Sequence, residues 1–282
     1  MLLYYCLEII LSNLISRILT AIVFGTIALY LTWCGGILFF LFTWGIGGFI
    51  LYEWINITEE KWNVLQKILA GIFYFVFGSF LVFSTSAPLI FCVVMALAVL
   101  LAFTSIRNVG WISGGFVYAS FPVVALSFLR GYDLLGFWGV IFLFAIVWTT
   151  DIAAYFSGRA FGGPKLAPRF SPNKTWAGAI VGTLAGFSSG IVVIVYVFGV
   201  SALDYFVFLI ALILSVISQI GDLGQSWLKR RFSIKDSGFL LPGHGGFMDR
   251  MDGLICATLL FYIIGSFMFD MNTPLVFSIR LY

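Results

Sequence analysis

Residues 134–157 read LLGFWGVIFLFAIVWTTDIAAYFS. Seventeen residues pass before the first charge, Asp151. A helix needs about 20 predominantly apolar residues to cross a hydrocarbon core, and this run supplies them without the apolar–polar alternation of an outer-membrane strand. The stretch reads as a membrane-spanning helix that carries a carboxylate near its end. An ionised group placed there is costly unless it meets a partner, a cation or water.

The rest of the chain repeats the pattern. Of 282 residues, 62% are hydrophobic and only 10% charged, with 32 Phe and 9 Trp, a balance that cannot supply a soluble surface. Apolar runs bounded by charge or turn residues give nine candidate spans, at 17–34, 36–54, 68–84, 88–104, 110–129, 134–157, 176–199, 205–227 and 251–269. The predicted fold class is therefore all-α, a polytopic integral membrane protein of about nine transmembrane helices. Leu3, Leu7, Ile10, Leu11 and Leu14 at helical spacing predict an amphipathic piece along the membrane surface. The first span lacks a basic start and a small-residue cleavage site, so it is expected to be retained. Cys6, Cys34, Cys92 and Cys256 are scattered among apolar residues and point to neither disulfides nor zinc.

Alternate loops assigned to opposite sides divide the fifteen Lys and Arg residues thirteen to two, with only Arg130 and Arg280 on the minority side. The positive-inside rule then predicts a cytoplasmic N-terminus. Two loops on the basic side, 158–175 and 229–250, hold nine of the fifteen basic residues. Their length and interleaved Gly, Pro and aromatic residues predict ordered, functional backbone.

Asp151 and Asp222 lie near span ends, and Asp249 and Asp252 open the last span at i and i+3. Asp151 has a structural alternative, an ion pair with Arg159 along the face that also carries Tyr155. Asp222 has no basic neighbour before Lys229, which predicts a metal or a distant partner. Helix N-terminal stabilisation accounts for Asp252. It accounts less well for Asp249, because Gly245 and Gly246 just before it can turn tightly and aim N–H groups at an anion. Aspartates without a His or Cys cluster select a hard cation, and magnesium takes one or two carboxylates plus substrate phosphates. Basic residues on the same loops would hold the remaining phosphate oxygens, although the Lys229–Arg231 run could instead anchor to anionic lipid. No GxxxxGK[ST] P-loop is present.

The stretch from Ser226 to Asp252, SWLKRRFSIKDSGFLLPGHGGFMDRMD, resembles the signature of the phosphatidate cytidylyltransferase family, the CDP-diacylglycerol synthases. Asp151-Ile-Ala-Ala-Tyr155 with Gly158-Arg159, and Ser171-Pro-Asn-Lys-Thr-Trp176, resemble the same family. A glutamate usual in the family after that tryptophan is Ala177 here, so no role carries over at that position. These motifs cover 151–252, while the first 150 residues agree with the family only in hydropathy and span count. Without low-complexity tracts or an internal repeat, one membrane domain over 1–282 is the simplest partition, with N-terminal helices in 1–150 and the catalytic region in 151–270. The resemblance implies cytidylyl transfer from CTP to phosphatidate, giving CDP-diacylglycerol and pyrophosphate. By resemblance Asp222, Asp249 and Asp252 are metal ligands. Asp222 and Asp249 are also catalytic, together with Lys229, Lys235, Asp236, His244 and Arg250. Asp151, Tyr155, Arg159, Ser171, Lys174, Thr175, Arg230, Gly245 and Gly246 become substrate-binding. The attacking phosphate is already ionised near neutral pH, so His244 is expected to hydrogen-bond phosphate or protonate the departing pyrophosphate, with bracing of the Gly-rich turn as the alternative.

The implied cofactor is magnesium, with a second, monovalent cation left open. Partners are CTP, phosphatidate and membrane lipid, with no nucleic acid and a homodimer left open. The implied location is the bacterial inner membrane, with the active site facing the cytoplasm. A CTP-dependent polyprenol or phytol kinase is the near alternative, and a transporter of anionic solutes the distant one; the latter would gather ionisable residues near mid-span.

Overall fold

A computed structural model describes residues 19–200, 205–238, 240 and 245–274. Among them the helices are α1 (Leu19–Cys34), α2 (Gly36–Ile57), α3 (Val64–Phe83), α4 (Ala87–Phe103), α5 (Val109–Arg130), α6 (Leu134–Phe161), α7 (Trp176–Phe198), α8 (Tyr205–Arg231) and α9 (Met248–Met268). Seven are long and apolar enough to cross a membrane, while α1 and α4 are shorter apolar helices. The chain is an all-α polytopic membrane protein. The N-terminal amphipathic piece, Arg17 and Arg280 lie outside the described residues.

Helix ends depart from the expected spans for local reasons. The α3 helix starts at Val64 because Asn63 and Gln66 cap each other's backbone N–H groups, at 2.8 and 2.9 Å. The α8 helix runs on to Arg231, so Lys229, Arg230 and Arg231 are helical rather than part of a loop. Between α6 and α7 the chain is not helical. Lys165–Ala167 (β1) and Ser171–Thr175 (β2) pair antiparallel, with Lys165 opposite Thr175 and Ala167 opposite Ser171. Gly162 and Gly163, at φ 62° and 89°, let the chain leave α6 toward this ribbon.

Two contacts fix the bundle, one at each end. Gly178, Gly182, Gly186 and Gly190 line one face of α7, and side chains there would strike Ala154, Thr150 and Ile146 of α6. Small residues thus bring the two backbones together, setting the start of α7 beside the Asp151 end of α6. At the opposite end of the bundle, Arg130 is 5% exposed. It donates to Thr32 O and Trp33 O of α1 and to Gly131 O and Asp133 O after α5. It binds the α1–α2 turn to the α5–α6 turn through backbone carbonyls.

Candidate active site

Aspartates from α6, α8 and α9 gather at the end of the bundle where the ribbon meets α8. Asp222, Gln225 and Lys229 fall on one side of α8 at i, i+3 and i+7. The α9 helix crosses α8 closely, because Gly221 lies against Asp252 O and Gly253 against Ser218 O. Asp151, Asp222 and Asp252 are near enough to interact electrostatically, and Lys174 acts on the same cluster. Arg250 adds its charge at Asp151.

Asp222 and Asp249 each pair with a lysine. Asp222 pairs with Lys174, the distant partner that its lack of local basic neighbours predicted. The ribbon delivers that lysine. Asp249, whose side chain is 8% exposed, accepts from Lys229 Nζ at 2.6 Å. It also accepts from Gln225 Nε2 at 3.4 Å, Ser237 N at 2.8 Å and Gly246 N at 3.3 Å. From the Gly-rich turn, the N–H of Gly246 thus points at this chain's own carboxylate. Asp252 is 9% exposed and accepts from Gly253 N at 2.8 Å.

Several sequence-selected residues are engaged by the protein itself. Thr175 is buried and caps α7 through Gly178 N. Ser171 sits in the ribbon opposite Ala167. Arg230 donates to Phe170 O and Ile234 O, both at 3.3 Å, and so ties the ribbon turn to the segment after α8. Arg159 donates to Tyr155 Oη at 2.6 Å and lies over the tyrosine ring. It therefore turns toward Tyr155 along its own helix. Lys235 and Asp236 are exposed on the loop, with Asp236 beside Gly245. His244 lies outside the described residues. Gly186-Phe-Ser-Ser-Gly190 spells a GxSxG nucleophile pattern, yet it lies inside α7, where Ser188 and Ser189 bond helix carbonyls.

One residue was missed. Glu53 of α2 is 1% exposed and accepts three hydrogen bonds from Ser237, Phe247 and Met248, each at 2.8 Å. It is a lone carboxylate near the end of an apolar run, the criterion that singled out Asp151 and Asp222.

Beneath the cluster lies a cavity of about 430 Å³ between α1, α2, α5, α6 and α9. Phe24, Phe42, Ile46, Phe144, Trp148 and Leu254 are among its mostly apolar lining residues. Its charged lining residues are Asp151 and Arg250. An apolar chamber with charge at its aspartate end suits an amphiphile whose head is anionic and whose tail is hydrocarbon.

Magnesium asks for hard oxygen ligands and needs only one or two carboxylates when phosphates complete its shell. Among the described residues no three His, Cys, Asp or Glu side chains form a group able to hold a metal alone. The donor chemistry of Asp222, Asp249 and Asp252 fits a cation shared with a phosphorylated ligand. It does not form a closed all-protein cage.

Apolar helices that carry a carboxylate–lysine cluster above an apolar chamber are the makings of a membrane-embedded enzyme. The sequence profile of the cytidylyltransferase family matches residues 15–268, and the chain belongs to that family. It is 47% identical over 264 residues to a phosphatidate cytidylyltransferase of Brucella suis, covering 93% of this chain and 97% of the relative. A Brucella abortus protein of the same name is 48% identical over 256 residues, covering 90% and 94%. One from Rickettsia bellii is 34% identical over 221 residues, covering 74% and 94%.

Proposed function

We propose that this chain transfers the cytidylyl group of CTP to phosphatidate. A phosphate oxygen of the lipid attacks the α-phosphorus of CTP and forms a new P–O bond. The α–β anhydride bond breaks, and pyrophosphate leaves with the electron pair. The observation that carries the reading is the apolar chamber that ends, at Asp151 and Arg250, against the Asp151–Asp222–Asp252 cluster. It offers a place for acyl chains directly below a place for phosphates. Both reactants are anions, so bringing them together and stabilising the departing pyrophosphate require fixed positive charge. Lys174 and Lys229 already stand at the aspartates, and Arg250 stands at the chamber. Phosphate oxygens would draw the two lysines from their carboxylates, leaving Asp222 and Asp249, with Asp252, to hold magnesium. When bound, the metal supplies Lewis-acid stabilisation of the phosphoryl oxygens. In this reading Lys235 and Asp236, on the exposed loop after α8, serve the nucleotide, and His244 hydrogen-bonds phosphate or protonates the departing pyrophosphate.

Purified protein in liposomes with phosphatidate, labelled CTP and magnesium is expected to form CDP-lipid and pyrophosphate in equal amounts, and chelation should stop both. Pyrophosphate without CDP-lipid, or no magnesium dependence, would sink the assignment.

The nine helices of the described residues all serve as spans in this proposal, with the N-terminus and the aspartate cluster on the cytoplasmic side of a bacterial inner membrane. A cysteine introduced at exposed Ser233 is expected to react with an impermeant maleimide only from the cytoplasmic side. Labelling from outside would reverse the orientation.

A further inference from the structure

Glu53 lies in α2, 184 to 195 residues before its three partners. Its Oε1 accepts from Phe247 N, and its Oε2 accepts from Ser237 Oγ and Met248 N. The first N–H groups of a helix have no intrahelical acceptor, and the N-cap of α9, Phe247, brings no side-chain bond of its own. A carboxylate from another helix takes that place. Charge-assisted bonds to a buried carboxylate are strong, and losing the charge leaves several donors without a partner at once. The fit is close, since a Cβ on Gly246 would lie 2.7 Å from Glu53 Oε1 and one on Gly238 would lie 2.8 Å from the same oxygen.

The same two stretches of chain are joined a second time by Asp249, through Ser237 N and Gly246 N. Glu53 grips residues 237 and 247–248, while Asp249 grips 237 and 246. We infer that Glu53 is a positioning residue of the active site, holding Ser237 and the Phe247–Met248 backbone so that the N–H groups of Ser237 and Gly246 orient the Asp249 carboxylate. The inference rests on the proposed reaction for its kinetic consequence and on geometry alone for its structural one. Ile46, Gly47 and Ile50 of the same helix line the apolar chamber, so α2 supports both the lipid-tail space and the polar loop above it.

The test uses the full chain in detergent or liposomes, with Glu53→Gln and Ser237→Ala. Glu53→Gln keeps the shape but turns an NH2 toward backbone donors. Amide exchange resolved to single residues is expected to speed up at Phe247 and Met248, and also at Ser237 and Gly246, which Glu53 does not accept from through nitrogen. Loss of a group that orients a metal-site carboxylate costs about 10- to 100-fold, so kcat/KM for CTP should fall by that factor. The magnesium concentration for half-maximal rate should rise, and KM for phosphatidate should stay within about twofold of wild type on the same reasoning. Ser237→Ala removes one arm and should move the same quantities less. Faster exchange confined to Phe247 and Met248, with unchanged kinetics, would reduce Glu53 to a helix cap and overturn the inference. If Glu53→Gln does not fold, Ser237→Ala decides, and unaltered Gly246 exchange with unaltered kinetics there refutes it. A wild-type protein that makes no CDP-lipid would defeat the proposed reaction, while the exchange pattern would still read out the clamp.

Discussion

Asp249→Ala is expected to lower magnesium-dependent turnover about 1,000-fold, the scale on which removal of a preorganised electrostatic group acts at a reacting centre. Two losses combine. The carboxylate offered to the metal disappears, and four donors lose their common acceptor: Lys229 Nζ, Gln225 Nε2, Ser237 N and Gly246 N. Lys229 is 15% exposed in its side chain, so its ammonium is left poorly compensated. Breaking a buried pair from one side costs about 3 to 5 kcal/mol, and the partial exposure of Lys229 puts this site at the low end of that range. Asp249→Asn separates the two losses, because the amide keeps one acceptor oxygen and the packing while removing the charge. It should match alanine in lost turnover and exceed it in thermal stability. Rates are measured on protein shown by gel filtration and melting to be folded. A folded Asp249→Ala protein with near wild-type turnover would remove Asp249 from the metal site.

The helices were legible because membrane spans answer to one rule, an unbroken apolar run of fixed length, and that rule does not depend on distant contacts. The aspartates were legible by contrast, as charge where charge is costly. Glu53 meets the same criterion in LYEWIN, but its partners, Ser237, Phe247 and Met248, lie 184 to 195 residues away, so no local pattern ties it to the site. Residues whose work is done on backbone carbonyls or N–H groups were the least legible. Thr175 and Arg230 sit inside matching motifs and look like ligand contacts in sequence, yet their polar atoms are engaged with the ribbon, α7 and the α8 loop. The ribbon itself escaped notice since SPNKT has neither alternating apolar residues nor a hairpin turn pair. Its consequence is the largest, as it carries Lys174 across to Asp222.

Gly221→Ala should cost about 100-fold in turnover, although it adds a single methyl group and removes no ligand. A Cβ there would lie 2.6 Å from Asp252 O and 3.0 Å from the Cys256 side chain, in the gap where α8 and α9 touch. A backbone carbonyl inside a helix cannot swing aside, so the helices must separate. Asp222 is the next residue on α8, and Asp249 and Asp252 open α9, so separation displaces the carboxylates that act together in the proposed reaction. A misplacement of about 1 Å is enough for a loss of that size. Gly224 supplies the comparison on the same helix one turn on, because a Cβ there meets nothing within 4 Å. Gly224→Ala should gain the helix preference of alanine, up to about 1 kcal/mol, and raise the melting temperature with turnover kept. The pair separates helix approach from helix propensity, since both variants exchange the same residues in the same helix. Equal turnover in the two folded proteins would mean that the contact of α8 with α9 does not set the spacing of the aspartates.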